Sequence, residues 1–120
     1  MKKILIITRQ PGIFSGLAEG LSDKNTNDIR WADSLTAAHA AATGSIDLII
    51  IDEKVDERPG LDIAKDMIRV NPMANLALVS SLAPEEFHQA SEGLGIMAQL
   101  PLNPDETNAK LLLNALAALL

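Results

Sequence analysis

The run Leu48-Ile49-Ile50-Ile51 constrains the fold of this chain more than any other feature. It is unbroken, apolar and rich in branched residues, and it is too short for a typical helix. Such a run is typical of a central strand in a parallel sheet that is covered on both faces. It ends at Asp52, and ligand chemistry in open α/β sheets gathers beyond the carboxyl ends of the strands. Asp52 is therefore the first candidate functional residue, with a helix-capping or turn aspartate as the alternative.

Short apolar runs and helical segments alternate along the rest of the chain. Further strands are predicted over residues 4–8, 28–32, 76–80 and 95–100, and helices over 11–21, 35–43, 61–70, from 84 onwards and over 104–120. Residues 53–59 are predicted to be a charged loop. Five β–α units predict a doubly wound parallel sheet of five strands in the order 2-1-3-4-5, with helices on both faces. Because no linker or repeat interrupts the pattern, residues 1–120 are predicted to form a single domain.

The composition narrows the classes of function. Sixteen acidic and ten basic residues give a net charge of −6 at pH 7, and aromatic residues make up only 2% of the chain. Nonspecific nucleic-acid binding needs basic groups and aromatic platforms, so we expect none by this domain. The chain has no cysteine, which excludes disulfides and thiol catalysis and fits a cytoplasmic location. No apolar stretch is long enough to span a membrane.

Several segments together resemble the receiver domains of bacterial response regulators, which have a flavodoxin-like (βα)5 sandwich. These segments are Lys3-Ile4-Leu5-Ile6-Ile7, Asp47-Leu48-Ile49-Ile50-Ile51-Asp52, Pro59-Gly60-Leu61, Leu78-Val79-Ser80-Ser81 and the pair Leu100-Pro101. The resemblance implies that Asp52 stands where the family's aspartate accepts a phosphoryl group from a histidine kinase. It also implies that Ser80 is the hydroxyl that hydrogen-bonds the phosphoryl group. Met97 corresponds to the aromatic residue that moves with that hydroxyl.

Besides Met97, three positions depart from the pattern of the resembled family. Thr8 and Arg9 stand where the family has two adjacent acids that hold Mg²⁺, and Leu100 stands where it has a lysine that contacts the phosphoryl group. Mg²⁺ prefers carboxylate oxygens, and phosphoryl transfer depends on the metal to neutralise the developing charge. We therefore expect no cofactor, with Mg²⁺ binding that is weak or lost.

Two cations near Asp52 leave two interpretations open. In the first, Arg9 and Lys54 replace the metal and hold Asp52 in one state, since a charge pair at about 5 Å is worth roughly 3 kcal/mol at an effective dielectric near 20. In the second, both side chains point to solvent, as long basic side chains often do. Asp56 and Glu57 are the nearby acids that can stand in for the missing metal ligands.

The predicted last helix has more leucines than one buried face needs. From Leu111 to Leu120 it is apolar nearly all round, whereas a surface helix needs one apolar stripe. The surplus predicts self-association or contact with another domain through this helix, with a frayed and partly exposed end as the alternative. The chain stops without a cap or polar tail, which also fits a piece of a longer protein.

Three classes of function remain. The favoured one is an atypical receiver in two-component (phosphorelay) signal transduction that acts as an interaction module without phosphorylation. The second is a receiver that is still phosphorylated on Asp52 through an altered site. A flavodoxin-like enzyme or ligand-binding domain comes third, because no acid–base set converges in the sequence. The expected partners are a histidine kinase, an effector domain or a second copy of the chain. We expect no binding to a membrane.

Overall fold

The computed structural model describes residues 1–119. The strands are β1 Lys3–Ile7, β2 Asp28–Ala32, β3 Leu48–Ile51, β4 Lys54–Val55, β5 Arg58–Pro59, β6 Asn75–Val79 and β7 Ala98–Leu100. The helices are α1 Ser15–Ser22, α2 Leu35–Ala42, α3 Gly60–Val70, α4 Pro84–Ala90 and α5 Glu106–Ala118, and a 3₁₀ turn over Pro11–Phe14 leads into α1.

Five strands form one parallel sheet in the order β2-β1-β3-β6-β7. Since β4 and β5 form a separate hairpin, β6 and β7 are the fourth and fifth strands of the predicted sheet. The predicted order 2-1-3-4-5 is therefore confirmed. All four residues of the central strand β3 are buried, as expected for a strand that is covered on both faces.

The helices cover the sheet as two layers, and β3 shows how they are divided. Ile49 and Ile51 belong to the core cluster that includes residues of α2, α3 and α4. Leu48 and Ile50 belong to the opposite cluster, with residues of α1 and α5. Successive side chains of a strand point to opposite faces, so each layer takes every second residue.

The two helices of the second layer lie in close contact. A Cβ atom added to Gly20 of α1 would lie 2.7 Å from the Cβ atom of Ala109 and 3.3 Å from the Cα atom of Glu106, both in α5. Both distances are shorter than ordinary contacts between carbon atoms, which are about 3.5–4.0 Å. Glycine at position 20 is therefore required by the approach of α5.

The last helix begins later than predicted. Asp105, rather than Pro104, marks its start, because the Asp105 carboxylate accepts hydrogen bonds from the backbone N–H groups of Thr107 at 2.9 Å and Asn108 at 3.2 Å. The Asn108 side chain in turn accepts from the Asp105 N–H at 2.9 Å. This reciprocal pair is a capping box, which outweighs the preference of proline for the first helical turn.

The leucines of α5 divide into two groups. Leu112 and Leu116 are buried in the core of the domain, whereas Leu111 is 62% exposed and Leu119, just after the helix, is 60% exposed. Leu120, the end of the predicted helix, lies outside the described residues. Part of the leucine surplus is thus explained by the domain's own core, and an exposed part remains. In the region 1–119, no helix is both long and apolar enough to cross a membrane.

Candidate functional site

Three strand ends meet at the carboxyl edge of the sheet. Thr8 follows β1, Asp52 follows β3 and Ser80 follows β6. The strands are adjacent and in register, with Ile7 beside Ile51. Asp52 and Ser80 therefore lie at the ends of neighbouring strands, as the sequence predicts.

The Asp52 carboxylate is held by two hydrogen bonds. The Thr8 hydroxyl donates to Oδ2 at 2.7 Å, and the backbone N–H of Glu53 donates to Oδ1 at 2.7 Å. Thr8 is 2% exposed, and its oxygen also accepts from the N–H of Gln10 at 3.0 Å. The Thr8 hydroxyl is therefore already used both as a donor and as an acceptor.

Ser80 makes a local contact instead of one to Asp52. Its hydroxyl oxygen accepts from the N–H of Leu82 at 3.2 Å, which closes a turn after β6. The hydroxyl partner of Asp52 is thus Thr8. The sequence analysis named Thr8 only because it stands where the resembled family has a metal-binding acid.

Of the two interpretations of Arg9 and Lys54, the ion pairs of the structure do not match the one in which they hold Asp52. Arg9 pairs with Asp56, and the Lys54 ammonium lies 3.1 Å from the Glu57 carboxylate. Among residues 1–119, the ion pairs include none to Asp52. Both basic side chains are more than half exposed, as the alternative interpretation expected.

The predicted charged loop contains a hairpin, and this explains the different pairing. Strands β4 and β5 are antiparallel and are joined by Asp56 and Glu57, with φ angles of 50° and 66°. Two successive positive φ angles are typical of a type I′ turn, which normally prefers Asn and Gly. Val55 is buried and anchors the hairpin on the core. The turn places its two acids beside the two cations.

Asp66 of α3 holds one side of this hairpin. Arg58 of β5 donates to Oδ2 at 2.9 Å, Arg69 contacts Oδ1, and His39 Nε2 of α2 lies 4.0 Å from Oδ2. Burial opposes ionisation of Asp66, but the hydrogen bonds and charges of Arg58 and Arg69 outweigh it and hold the pKa of this carboxyl below its usual range.

A contact between Glu53 and Ser81 was not found by the sequence analysis. Glu53 Oε2 accepts from the Ser81 N–H at 2.5 Å and from the Ser81 hydroxyl at 2.8 Å. The positions of these residues in the sequence could have indicated the contact, because Glu53 directly follows Asp52 and Ser81 directly follows Ser80. Residues at the ends of neighbouring strands can reach one another in this way.

Solved structures from several organisms share this architecture. A two-component response regulator from Clostridium difficile has a TM-score of 0.81 at 17% identity, with 98% of this chain and 97% of that chain covered. A response regulator receiver domain protein from Clostridium thermocellum has a TM-score of 0.78 at 20% identity, with coverages of 98% and 96%. This chain has the fold of a receiver domain. At these identities the likeness establishes the fold alone.

A protein that is not described as a response regulator has a similar fold. A putative pilus assembly protein from Burkholderia thailandensis has a TM-score of 0.76 at 17% identity, with 98% of this chain and 99% of that chain covered. Neither a protein-family model nor a curated protein sequence matches the chain.

Two further candidate residues lie in the core or against it. Leu100 of β7 is 3% exposed and belongs to the cluster that packs against α1 and α5, and Met97 packs against the same cluster. A lysine side chain at position 100 would have to leave this apolar cluster to keep its charge hydrated. Leu100 therefore supplies packing and no group that can bind a phosphoryl oxygen.

The donor set beside Asp52 does not fit a Mg²⁺ site. Thr8 supplies one hydroxyl that is already hydrogen-bonded, and Arg9 brings a cation in place of a carboxylate. Magnesium ions are held in proteins by one or two carboxylates together with water or phosphate oxygens. In the part of the chain that the structure describes, no three His, Cys, Asp or Glu side chains are grouped so that they could hold a metal.

An open depression of about 910 Å³ lies over Asp52. Its walls include Arg9, Ile13, Leu102 and the two acids of the hairpin turn. Ile13 is 40% exposed and Leu102 is 50% exposed. Asp52 is half-buried at the wall of this depression, so the edge of the sheet is open to a protein or small molecule.

Proposed function

We propose that this chain is an atypical receiver domain that acts as a protein-interaction module in two-component signalling, without phosphorylation of Asp52. In this proposal it is a cytoplasmic, non-enzymatic domain whose partners are a histidine kinase, an effector domain or a second copy. The observation that carries the proposal is the Thr8–Asp52 hydrogen bond. It joins the candidate phosphoacceptor to a hydroxyl at the position where a metal-binding acid is expected.

Charge explains why this arrangement disfavours phosphoryl transfer. An incoming phosphoryl group brings negative charge that a metal ion or a fixed cation must offset. Arg9 is engaged by Asp56, Lys54 by Glu57, and position 100 holds a buried leucine. The receiver fold by itself does not imply phosphotransfer, because one fold supports many functions.

Intact mass spectrometry after incubation with acetyl phosphate tests this proposal. We expect no adduct on the wild-type chain with or without Mg²⁺, and the same result for Asp52→Asn. Beryllofluoride binding, followed by NMR with and without Mg²⁺, is expected to be absent as well. A Mg²⁺-dependent adduct on the wild type that is lost in Asp52→Asn would overturn the proposal.

A double variant tests whether the chain can gain Mg²⁺ binding. Thr8→Asp together with Arg9→Asp restores two acids beside Asp52 and removes the cation. We expect it to bind Mg²⁺ in calorimetry where the wild type shows little or no heat. Equal Mg²⁺ affinity in both proteins would contradict the role assigned to these two positions.

The accessibility of Asp52 supports a second candidate function. Asp52 is half-buried at an open depression, and no ion pair among residues 1–119 includes it. An altered receiver phosphorylated on Asp52 is consistent with this exposure. The mass measurement separates the two candidates, because only this one gives an adduct that disappears in Asp52→Asn.

Helix α5 is the proposed interaction surface. Leu111 and Leu119 expose most of their side chains, whereas Leu116 is buried in the core. If α5 mediates self-association, Leu111→Glu will shift the sedimentation distribution of concentrated protein towards the monomer and leave the circular dichroism spectrum unchanged. Lys110→Glu, at an exposed neighbouring position, is the charge control. A wild-type protein that remains monomeric at high concentration would rule out self-association through α5.

A further inference from the structure

The two donors of Ser81 converge on one carboxylate oxygen. Glu53 Oε2 receives the backbone N–H at 2.5 Å and the hydroxyl at 2.8 Å. Hydrogen bonds to an ionised acceptor are shorter and stronger than those between neutral groups. Glu53 therefore supplies, from within the chain, a negative charge that holds the loop after β6.

The same loop is held from its other side. The side-chain amide of Gln99 in β7 donates to the carbonyl oxygens of Ser80 at 3.3 Å and Leu82 at 2.8 Å. Within the loop, the N–H of Leu82 donates to the Ser80 hydroxyl at 3.2 Å. Each of the three residues 80–82 thus has a hydrogen bond that fixes its position.

The loop leads directly into α4. The first hydrogen bond of this helix joins the N–H of Phe87 to the carbonyl of Ala83 at 2.9 Å. Glu53, Gly60, Leu78 and Phe87 are among the walls of a small cavity of about 170 Å³ beside the loop. A shift of the loop would therefore move the start of α4 and change the space around Phe87.

We propose that Glu53 is a built-in anion that holds the loop 80–83, and with it the start of α4, in one conformation without any covalent modification of the chain. This contact deepens the proposed function and rests on it, because it gives an unphosphorylated receiver one fixed conformation of this loop. Asp52 itself takes no part in it, because the Asp52 carboxylate contacts Thr8 and the Glu53 N–H instead.

Amide hydrogen exchange measured by NMR tests the contact directly. In Glu53→Ala, we expect the Ser81 amide to exchange about tenfold faster, as for the loss of one charge-assisted hydrogen bond at a solvent-exposed site. The Ser80 amide is an internal reference, because it donates to the Leu100 carbonyl at 3.0 Å within the sheet and should be unchanged.

Two variants identify the chemical cause. Glu53→Gln keeps an acceptor oxygen but removes the charge, and we expect an exchange rate between those of the wild type and Glu53→Ala. Glu57→Gln is the matched control, because Glu57 is an exposed acid of the neighbouring hairpin that contacts Lys54 and not the loop. We expect Ser81 exchange in this control to equal that of the wild type.

The outcomes distinguish this inference from the proposed function. Unchanged Ser81 exchange in Glu53→Ala, or an equal increase in Glu57→Gln, would overturn the role of Glu53. Wild-type exchange in Glu53→Gln would overturn the requirement for an anion. None of these measurements uses a phosphate donor or a partner, so they can fail while the unphosphorylated function stands. Conversely, a phosphorylated wild type would defeat that function without altering the exchange result.

Discussion

The hairpin beside Asp52 makes two arginine–aspartate contacts with the rest of the domain, and these have the same chemistry in different surroundings. At its tip, Arg9 pairs with Asp56, and the two side chains are 59% and 35% exposed. On the side that faces α3, Arg58 pairs with Asp66, whose side chain is 12% exposed and also contacts Arg69. Water and salt screen the Arg9–Asp56 pair far more than the Arg58–Asp66 pair.

This difference indicates which contacts stabilise the hairpin. Exposed ion pairs are typically worth about 0.2–1 kcal/mol, whereas hydrogen bonds to charged groups that are partly withdrawn from water are worth about 1.5–3 kcal/mol. The contact of Arg58 with α3 and the tight packing at Gly60 should therefore fix the hairpin, while the ion pairs of the two turn acids only orient exposed side chains. Three variants test this comparison.

The largest effect is expected at Gly60, where the base meets the end of β3. A Cβ atom on Gly60 would lie 2.5 Å from the carbonyl oxygen of Asp52, a distance that requires the backbone to shift. We expect Gly60→Ala to lower the free energy of unfolding by about 2–3 kcal/mol in urea denaturation. Gly12→Ala is the control, because nothing lies within 4 Å of a Cβ atom there. Equal stability of the two variants would contradict close packing at the base.

An intermediate effect is expected for Asp66→Asn. The variant loses the carboxylate that two arginines contact, and we expect a loss of about 1–2 kcal/mol in the free energy of unfolding at pH 7.

The contribution of Asp66 to stability should depend on pH. The pKa of Asp66 is lowered in the folded state, so this contribution is present above about pH 4, the pKa of an unperturbed aspartate. It disappears as the pH falls through the folded-state pKa. The difference between wild type and variant should therefore shrink below pH 4, and a difference that grows in acid would reverse the sign assigned here.

The smallest effect, and of opposite sign, is expected at the tip. Replacing Asp56 by Asn and Glu57 by Gly removes both exposed ion pairs but gives the turn residues that favour positive φ angles. We expect the double variant to be more stable by about 0.5 kcal/mol, because relief of strain outweighs two screened pairs. Thermal unfolding at low and high salt measures this. A clear loss of stability at low salt would show that the tip pairs support the hairpin after all.

The alternation of apolar runs was sufficient to predict the sheet. β3 is short, unbroken and branched, and its burial on both faces follows from that pattern alone. The placement of Asp52 and Ser80 at the ends of neighbouring strands follows in turn, because β3 and β6 are adjacent and parallel. These predictions depend on local pattern and topology, which a single sequence carries.

The pairing of the charged groups could not be predicted in the same way. The partner of Arg9 depends on the Asp56-Glu57 turn, whose left-handed backbone has neither the Asn nor the Gly that normally reveals such a turn. The Thr8–Asp52 hydrogen bond depends on the side-chain rotamers at two strand ends. Metal binding, phosphorylation and the use of α5 remain predictions, since they concern molecules other than this chain.

Gly20 and Ala109 bring α1 and α5 into direct contact. The Ala109 methyl group lies against the backbone of α1 at this point, so a movement of α5 towards α1 would displace α1 as well. The turn Pro11–Phe14 connects α1 to Arg9 at the rim of the Asp52 depression. A displacement of α5 against α1 would therefore be transmitted along the backbone of this turn to the rim of the depression.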